Sequence, residues 1–176
     1  LKTQPVVAVE LLDRRSMRSV QDKPGMPAFV RELSTNACAL LIEARAASRL
    51  LLHEQLAQIM DSLSAFPVEK QVDFTEDPVE NARLWAIRKD TFPAVGAVRL
   101  TGTTVIIEDV TFPVEQLAIG VRRLIELFDK HHYDEAILFG HALEGNLHFV
   151  FTQGFNNPEE VARYQAFMDD VAQLVA

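Results

Sequence analysis

Cysteine occurs once in the 176 residues, as Cys38. One thiol excludes an intrachain disulfide and a cysteine-ligated iron–sulfur cluster within this segment. Its setting, Ala37-Cys38-Ala39-Leu40-Leu41, suits a small buried residue rather than a nucleophile. Positive charge is scarce too. The 17 Lys and Arg against 25 Asp and Glu leave a formal net charge of −8. No basic stripe is interleaved with aromatics, and the dense basic cluster Arg14, Arg15, Arg18 suits a solvated helix face. A nucleic-acid surface is therefore not expected. An anionic ligand would need a local cationic pocket to overcome the overall field. No apolar run approaches the roughly 20 residues of a membrane span, and no signal peptide is visible. No serine-nucleophile motif and no phosphate-binding glycine loop appear. The chain begins with Leu1 rather than Met, as a fragment or processed chain would. A cytoplasmic setting fits, with peripheral association at the inner membrane face left open.

At 48% hydrophobic, the chain can bury a real core and reads as one domain, residues 1–176. Val6 to Leu12 is the first strand candidate, followed by a loop around Pro24, Gly25 and Pro27. Ala37 to Ala46 is a second strand candidate, although its alanine content also permits a helix. From Ser48, a suitable cap, to Leu63, the residues Leu52, Leu56, Ile59, Met60 and Leu63 share one helical face. Val68 to Phe74 alternates like a third strand. Asp77-Pro78-Val79-Glu80 then opens a helix that carries Trp85 and Arg88 and ends near Pro93 and Gly96. Thr103 to Phe112 is a fourth strand. Pro113 begins a helix with apolar spacing through Phe128. Asn157-Pro158 begins the last helix, with Val161, Tyr164, Met168, Val171 and Val175 expected inward. An α+β fold follows: a mainly antiparallel sheet with helices packed on one face, a ferredoxin-like core with additions.

The densest chemistry lies in Gly140-His141-Ala142-Leu143-Glu144-Gly145-Asn146-Leu147-His148. Ala136–Phe139 and Leu147–Phe151 flank it as strand arms. With Leu143 to Asn146 as the turn, Ala142 pairs with Leu147 and His141 with His148. Opposed residues share a face with Cβ atoms roughly 4.5–5.5 Å apart. Two imidazoles so placed can share a divalent metal ion, and equally can be a polar cross-strand pair on an open face. Glu108 and Asp109 are adjacent on a strand, point to opposite faces and cannot form an acid–base couple. His131 and His132 sit in a polar loop and are expected in solvent.

This stretch resembles the Gly-His-x-Gly-Asp-Gly-Asn-Leu-His signature of FAD-linked 2-hydroxy-acid dehydrogenases of the glycolate oxidase, D-lactate dehydrogenase and D-2-hydroxyglutarate dehydrogenase type. Gly140, His141, Gly145, Asn146, Leu147 and His148 match, while Leu143 and Glu144 replace a glycine and an aspartate. Leu84-Trp85-Ala86-Ile87-Arg88 resembles the family's Trp-x-x-Arg helix, and Val105 to Val114 resembles its strand ending in Asp-x-x-x-Pro. The resemblance covers most of the chain as the C-terminal substrate or cap domain. It is nearest to the large forms that carry an iron–sulfur region further along.

The resemblance implies a division of labour. His141 and His148 are metal ligands, with zinc or manganese suited to two neutral nitrogens. Arg88 grips a substrate carboxylate through paired hydrogen bonds, and Asn146 helps from the turn. The flavin-binding domain, which holds most of the FAD, is a separate part of the same polypeptide. The family's third metal ligand, a glutamate in a Glu-His-Gly segment, would lie beyond Ala176. The metal site here is therefore expected to be incomplete and the isolated segment inactive. Glu144 is an internal candidate that points away. The residue that removes the hydroxyl proton is left open. The substrate implied is a small D-2-hydroxy acid. The rival is a non-catalytic ferredoxin-like module that binds a ligand or another subunit, in which His141 and His148 diverge or sit far from any cleft.

Overall fold

A computed structural model describes residues 1–97 and 99–176. Its strands are β1 (Ala8–Leu12), β2 (Ala39–Glu43), β3 (Thr103–Thr111), β4 (Ile137–His141) and β5 (Asn146–Gly154). Its α-helices are α1 (Arg14–Val20), α2 (Arg49–Leu63), α3 (Pro78–Ala97), α4 (Leu117–Lys130) and α5 (Pro158–Val175). The strands form one sheet in the order β2-β1-β4-β5-β3, every neighbouring pair antiparallel. This is the α+β class expected. β3–α4–β4–β5 is a split β-α-β unit: β3 and β4 run parallel to each other with β5 between them.

Local chemistry explains the helix starts. The Ser48 side chain accepts from the Leu51 N–H and begins α2. Asp77 accepts from the Val79 N–H ahead of Pro78, and Asn157 accepts from the Glu160 N–H ahead of Pro158. α4 begins at Leu117, after a 3-10 turn over Val114–Gln116 that Pro113 introduces. Asp13, buried at the end of β1, ties α1 to β4. Its carboxylate accepts from the Ser16 and Leu138 N–H groups, and its own N–H donates to the Leu138 carbonyl. Burial pushes this carboxyl above its ordinary value, against the lowering effect of those hydrogen bonds.

Two apolar layers sandwich the sheet, so helices pack on both of its faces and not on one as expected. On one face Val9, Leu138, Leu147, Phe149 and Phe151 pack against Leu124 and Phe128 of α4 and Phe167 and Val171 of α5. The rings of Phe128, Phe149, Phe151 and Phe167 lie 5.3–6.0 Å apart. On the other face Leu12, Ile137, Phe139 and Val150 pack against Met17 of α1 and Val95 of α3. This second layer is smaller and leaves one end of its face open.

Several expectations give way here. Val68 to Phe74 forms no strand, because no neighbouring strand offers a ladder among the described residues. Val161 and Val175 are 47% and 43% exposed, and Phe167 takes the central inward position on α5. Cys38 is exposed rather than buried, since it precedes β2 at the sheet edge, where Leu40 is exposed as well. His131 is not in solvent. It sits edge-on to Phe167 and its Nε2 lies 2.6 Å from Asp170 Oδ2, joining α4 to α5. His132 is exposed as expected.

Two predictions follow from this packing. Phe167→Ala should lower unfolding free energy by about 3–5 kcal/mol, and Val161→Ala should change it by no more than ~0.5 kcal/mol, both read from urea denaturation. Equal effects would contradict the observed helix face. The second concerns Asp170, whose carboxyl is held below its ordinary 3.8 by hydrogen bonds from Lys130 and then His131. A depressed carboxyl contributes stability above its unfolded pKa and loses it as pH falls through the folded one. The stability gap between the wild type and Asp170→Asn should therefore be full near neutrality and close as pH drops below about 4. A gap that is constant from pH 6 to pH 3 would contradict the pairing.

Candidate functional site

The open end of the second sheet face begins where its apolar layer stops. Along β4, inward Ile137 and Phe139 give way to His141, whose side chain is 46% exposed. Along β5, the residues on that face run Asn146, His148, Val150. The hairpin turn spans Ala142 to Gly145 and not Leu143 to Asn146. The direct pairs are therefore His141 with Asn146, Gly140 with Leu147 and Phe139 with His148. The expected pair of His141 with His148 becomes a diagonal one. Each partner slips by two positions, so the face is kept, because side chains alternate with period two.

Gly145 sets this turn. It takes φ +70°, a left-handed conformation that glycine adopts without a Cβ penalty. A Cβ there would lie 2.0 Å from the Phe112 carbonyl oxygen. The Gly145 carbonyl in turn accepts from the Phe112 N–H at 3.0 Å, which docks the turn on the end of β3. Asn146 is thereby freed from the turn. It is the first residue of β5, and its amide donates to Thr111 Oγ1.

The two imidazoles meet edge to face with centroids 5.3 Å apart. Each has its Nδ1 on a carboxylate. His141 Nδ1 lies 2.7 Å from Glu10 Oε1, across the β1–β4 pairing. His148 Nδ1 contacts Asp109 Oδ1, across the β5–β3 pairing. Because a carboxylate only accepts, each Nδ1 carries a hydrogen, and in the neutral form of each imidazole the lone pair is at Nε2. Carboxylate-oriented imidazoles with a bare Nε2 are the usual form of a metal-ligating histidine. The donor chemistry therefore fits two ligands of a cation. Among the described residues, no group of three or more His, Cys, Asp and Glu is placed to hold a metal ion. Glu144 is exposed at the turn tip, as expected.

Arg88 arrives from α3. Its Nε donates to Glu10 Oε2 at 2.7 Å, and its guanidinium carbon sits 4.6 Å above the Phe139 ring. The Arg88 and Glu10 side chains are only 12% and 6% exposed. Breaking a buried pair by removing one partner costs about 3–5 kcal/mol, since a charge is stranded. Phe139 also lies against His148, with centroids 5.6 Å apart. A continuous row results, running Arg88, Glu10, His141, His148, Asp109, floored by Phe139. Trp85 is half-buried on the same helix.

All four residues singled out from the sequence, Arg88, His141, Asn146 and His148, thus lie on or beside one sheet face. Sequence reasoning missed Glu10, Asp109 in its pairing role, and Phe139. A trace of Glu10 was available as the lone acid inside the apolar run Val6 to Leu12. Glu108 and Asp109 do face opposite ways, with Asp109 on the histidine side.

The comparison with known families gives one finding. The model of the family described as FAD linked oxidases, C-terminal domain, matches residues 1–176. Compared with curated proteins, the chain has no match. No helix among the described residues is long and apolar enough to cross a membrane.

The site depends on the turn. Gly145→Ala should cost about 1–3 kcal/mol through backbone strain and should weaken the ring-to-ring nuclear Overhauser effect between His141 and His148. Unchanged stability together with an unchanged effect would show that the turn does not set the pair.

Proposed function

The chain belongs to the FAD linked oxidases, C-terminal domain family, and from that premise we propose that it is the substrate-side domain of a flavin-dependent dehydrogenase acting on a D-2-hydroxy acid of the glycolate, D-lactate or D-2-hydroxyglutarate type. Family membership already gives it a flavin-linked oxidoreductase context, a flavin-binding partner domain and a small-molecule substrate. The observation that carries the finer reading is the paired imidazoles, 5.3 Å apart, on the sheet face that Arg88 borders.

Such a substrate has a carboxylate and a neighbouring hydroxyl, and the row offers a group for each. Glu10 engages Arg88 at Nε, which leaves the Nη edge of the guanidinium for the substrate carboxylate. Two parallel hydrogen bonds from that edge would fix orientation as well as charge. His141 and His148 turn their Nε2 atoms away from Glu10 and Asp109 and would hold a divalent cation, zinc or manganese, with further ligands from outside the described residues. When bound, the cation supplies Lewis-acid stabilisation of the substrate oxygens. FAD, held mainly by the partner domain, supplies the two-electron acceptor. Asn146, beside His148 on β5, adds an amide that can reach the substrate as well as Thr111. Phe139 excludes water from beneath the guanidinium, which strengthens its electrostatic pull. The alternative, a non-catalytic binding module, expects the histidines to diverge or to sit far from any cleft, and the 5.3 Å approach of the two rings counts against the first of these.

The test uses the intact flavoprotein that carries this domain. Dye reduction with D- and L-2-hydroxy acids should be stereospecific, should disappear on chelation and should return with added metal. His148→Ala should abolish turnover with flavin still bound. Turnover that survives this substitution would remove the metal role, and no turnover of any hydroxy acid in a flavin-loaded wild type would overturn the reading.

A further inference from the structure

Glu10 hydrogen-bonds to both Arg88 and His141. It lies on β1, opposite His141 on β4, and only 4% of it is exposed. Its two carboxylate oxygens are divided. Oε2 accepts from Arg88 Nε at 2.7 Å, and Oε1 lies 2.7 Å from His141 Nδ1. An apolar residue here would satisfy the strand pattern, since Leu12 and Ala8 are its neighbours on the same face. A buried carboxylate is retained against its desolvation cost, which makes its partners the place to look for its role.

We propose that Glu10 is a positioning residue that fixes, with one carboxylate, both the side-on presentation of the Arg88 guanidinium and the Nδ1–H tautomer of His141. This rests on the reading of Arg88 and His141 as substrate- and cation-binding groups. The geometry makes the two effects separable from a bulk structural role. Oε1 accepts and cannot donate, so the hydrogen of a neutral His141 imidazole is held on Nδ1 and its lone pair on Nε2. Oε2 occupies Arg88 at Nε, so the guanidinium offers the site its Nη edge and not its flank. The Glu10–Arg88 pair is also balanced in charge: one buried anion against one partly buried cation.

Glu10→Gln discriminates because glutamine has one accepting and one donating end. Its oxygen must face Arg88, since an amide N–H cannot meet a guanidinium N–H. Its NH2 then faces His141 Nδ1, which must become the acceptor, moving the imidazole hydrogen to Nε2. The variant keeps size and burial and reverses the tautomer.

The imidazole nitrogens of the chain can be read by 15N-resolved spectra at about pH 8, above the ordinary histidine pKa of ~6.5, with His141→Ala to assign the resonance. The wild type should show Nδ1–H and a bare Nε2 at His141. Glu10→Gln should show the reverse, and Glu10→Asp should keep the wild-type tautomer. In the intact flavoprotein, Glu10→Gln should lose about 10–100-fold in kcat and raise KM through the loosened Arg88, with flavin content unchanged. A wild-type His141 protonated at Nε2 would overturn the proposal whether or not any variant folds. So would a Glu10→Gln spectrum that keeps Nδ1–H. The tautomer needs neither substrate nor flavin, so a wild type with Nδ1–H that oxidises no hydroxy acid would overturn the functional reading and leave this assignment standing.

Discussion

The register between β4 and β5 fixes everything on the open sheet face. Side chains alternate along a strand, so one backbone pairing decides which residues share a surface. With His141 opposite Asn146 and Phe139 opposite His148, both imidazoles and the Phe139 ring fall together. The pairing of β1 with β4 then brings Glu10 to His141, and that of β3 with β5 brings Asp109 to His148. A shift of one residue in either outer pairing would send the carboxylate to the opposite face, into the layer of Phe149 and Phe151. The Gly145 turn, seated against the Phe112 backbone, anchors the register at the hairpin end.

The second constraint is charge. The chain carries a net −8, yet its candidate site is organised around a partly buried guanidinium. Glu10 neutralises Arg88 without covering it, and Phe139 gives it an apolar floor. An anionic substrate of the proposed kind would meet a local cation whose own partner is held to one side. The net charge of this domain would not steer such a ligand, so recognition within it would rest on short-range geometry. On the other face α4 and α5 pack their aromatic layer against β1, β4 and β5.

Much of this was legible in the sequence, and the parts that were not share a cause. The hairpin, the capped helix starts at Ser48, Asp77 and Asn157, and the shared face of His141 and His148 all follow from local rules. The turn was misplaced by one residue because Asn146 and Gly145 both tolerate left-handed backbone, and only contact with Phe112 chooses between them. Val68 to Phe74 alternates as a strand should, but alternation without a partner does not make a ladder. The role of Glu10 depends on β1 pairing with β4, more than a hundred residues away, and no local pattern carries that information. His131 was missed for the same reason, since Asp170 and Phe167 come from a different helix.

The most direct test of this account is a crystal structure of the intact flavoprotein with a D-2-hydroxy acid bound. The carboxylate is expected on the Nη edge of Arg88 and the hydroxyl on the side of the His141 and His148 Nε2 atoms, with Glu10 still bridging Arg88 and His141. A ligand bound away from this face, or seated there with the imidazoles turned aside, would contradict it.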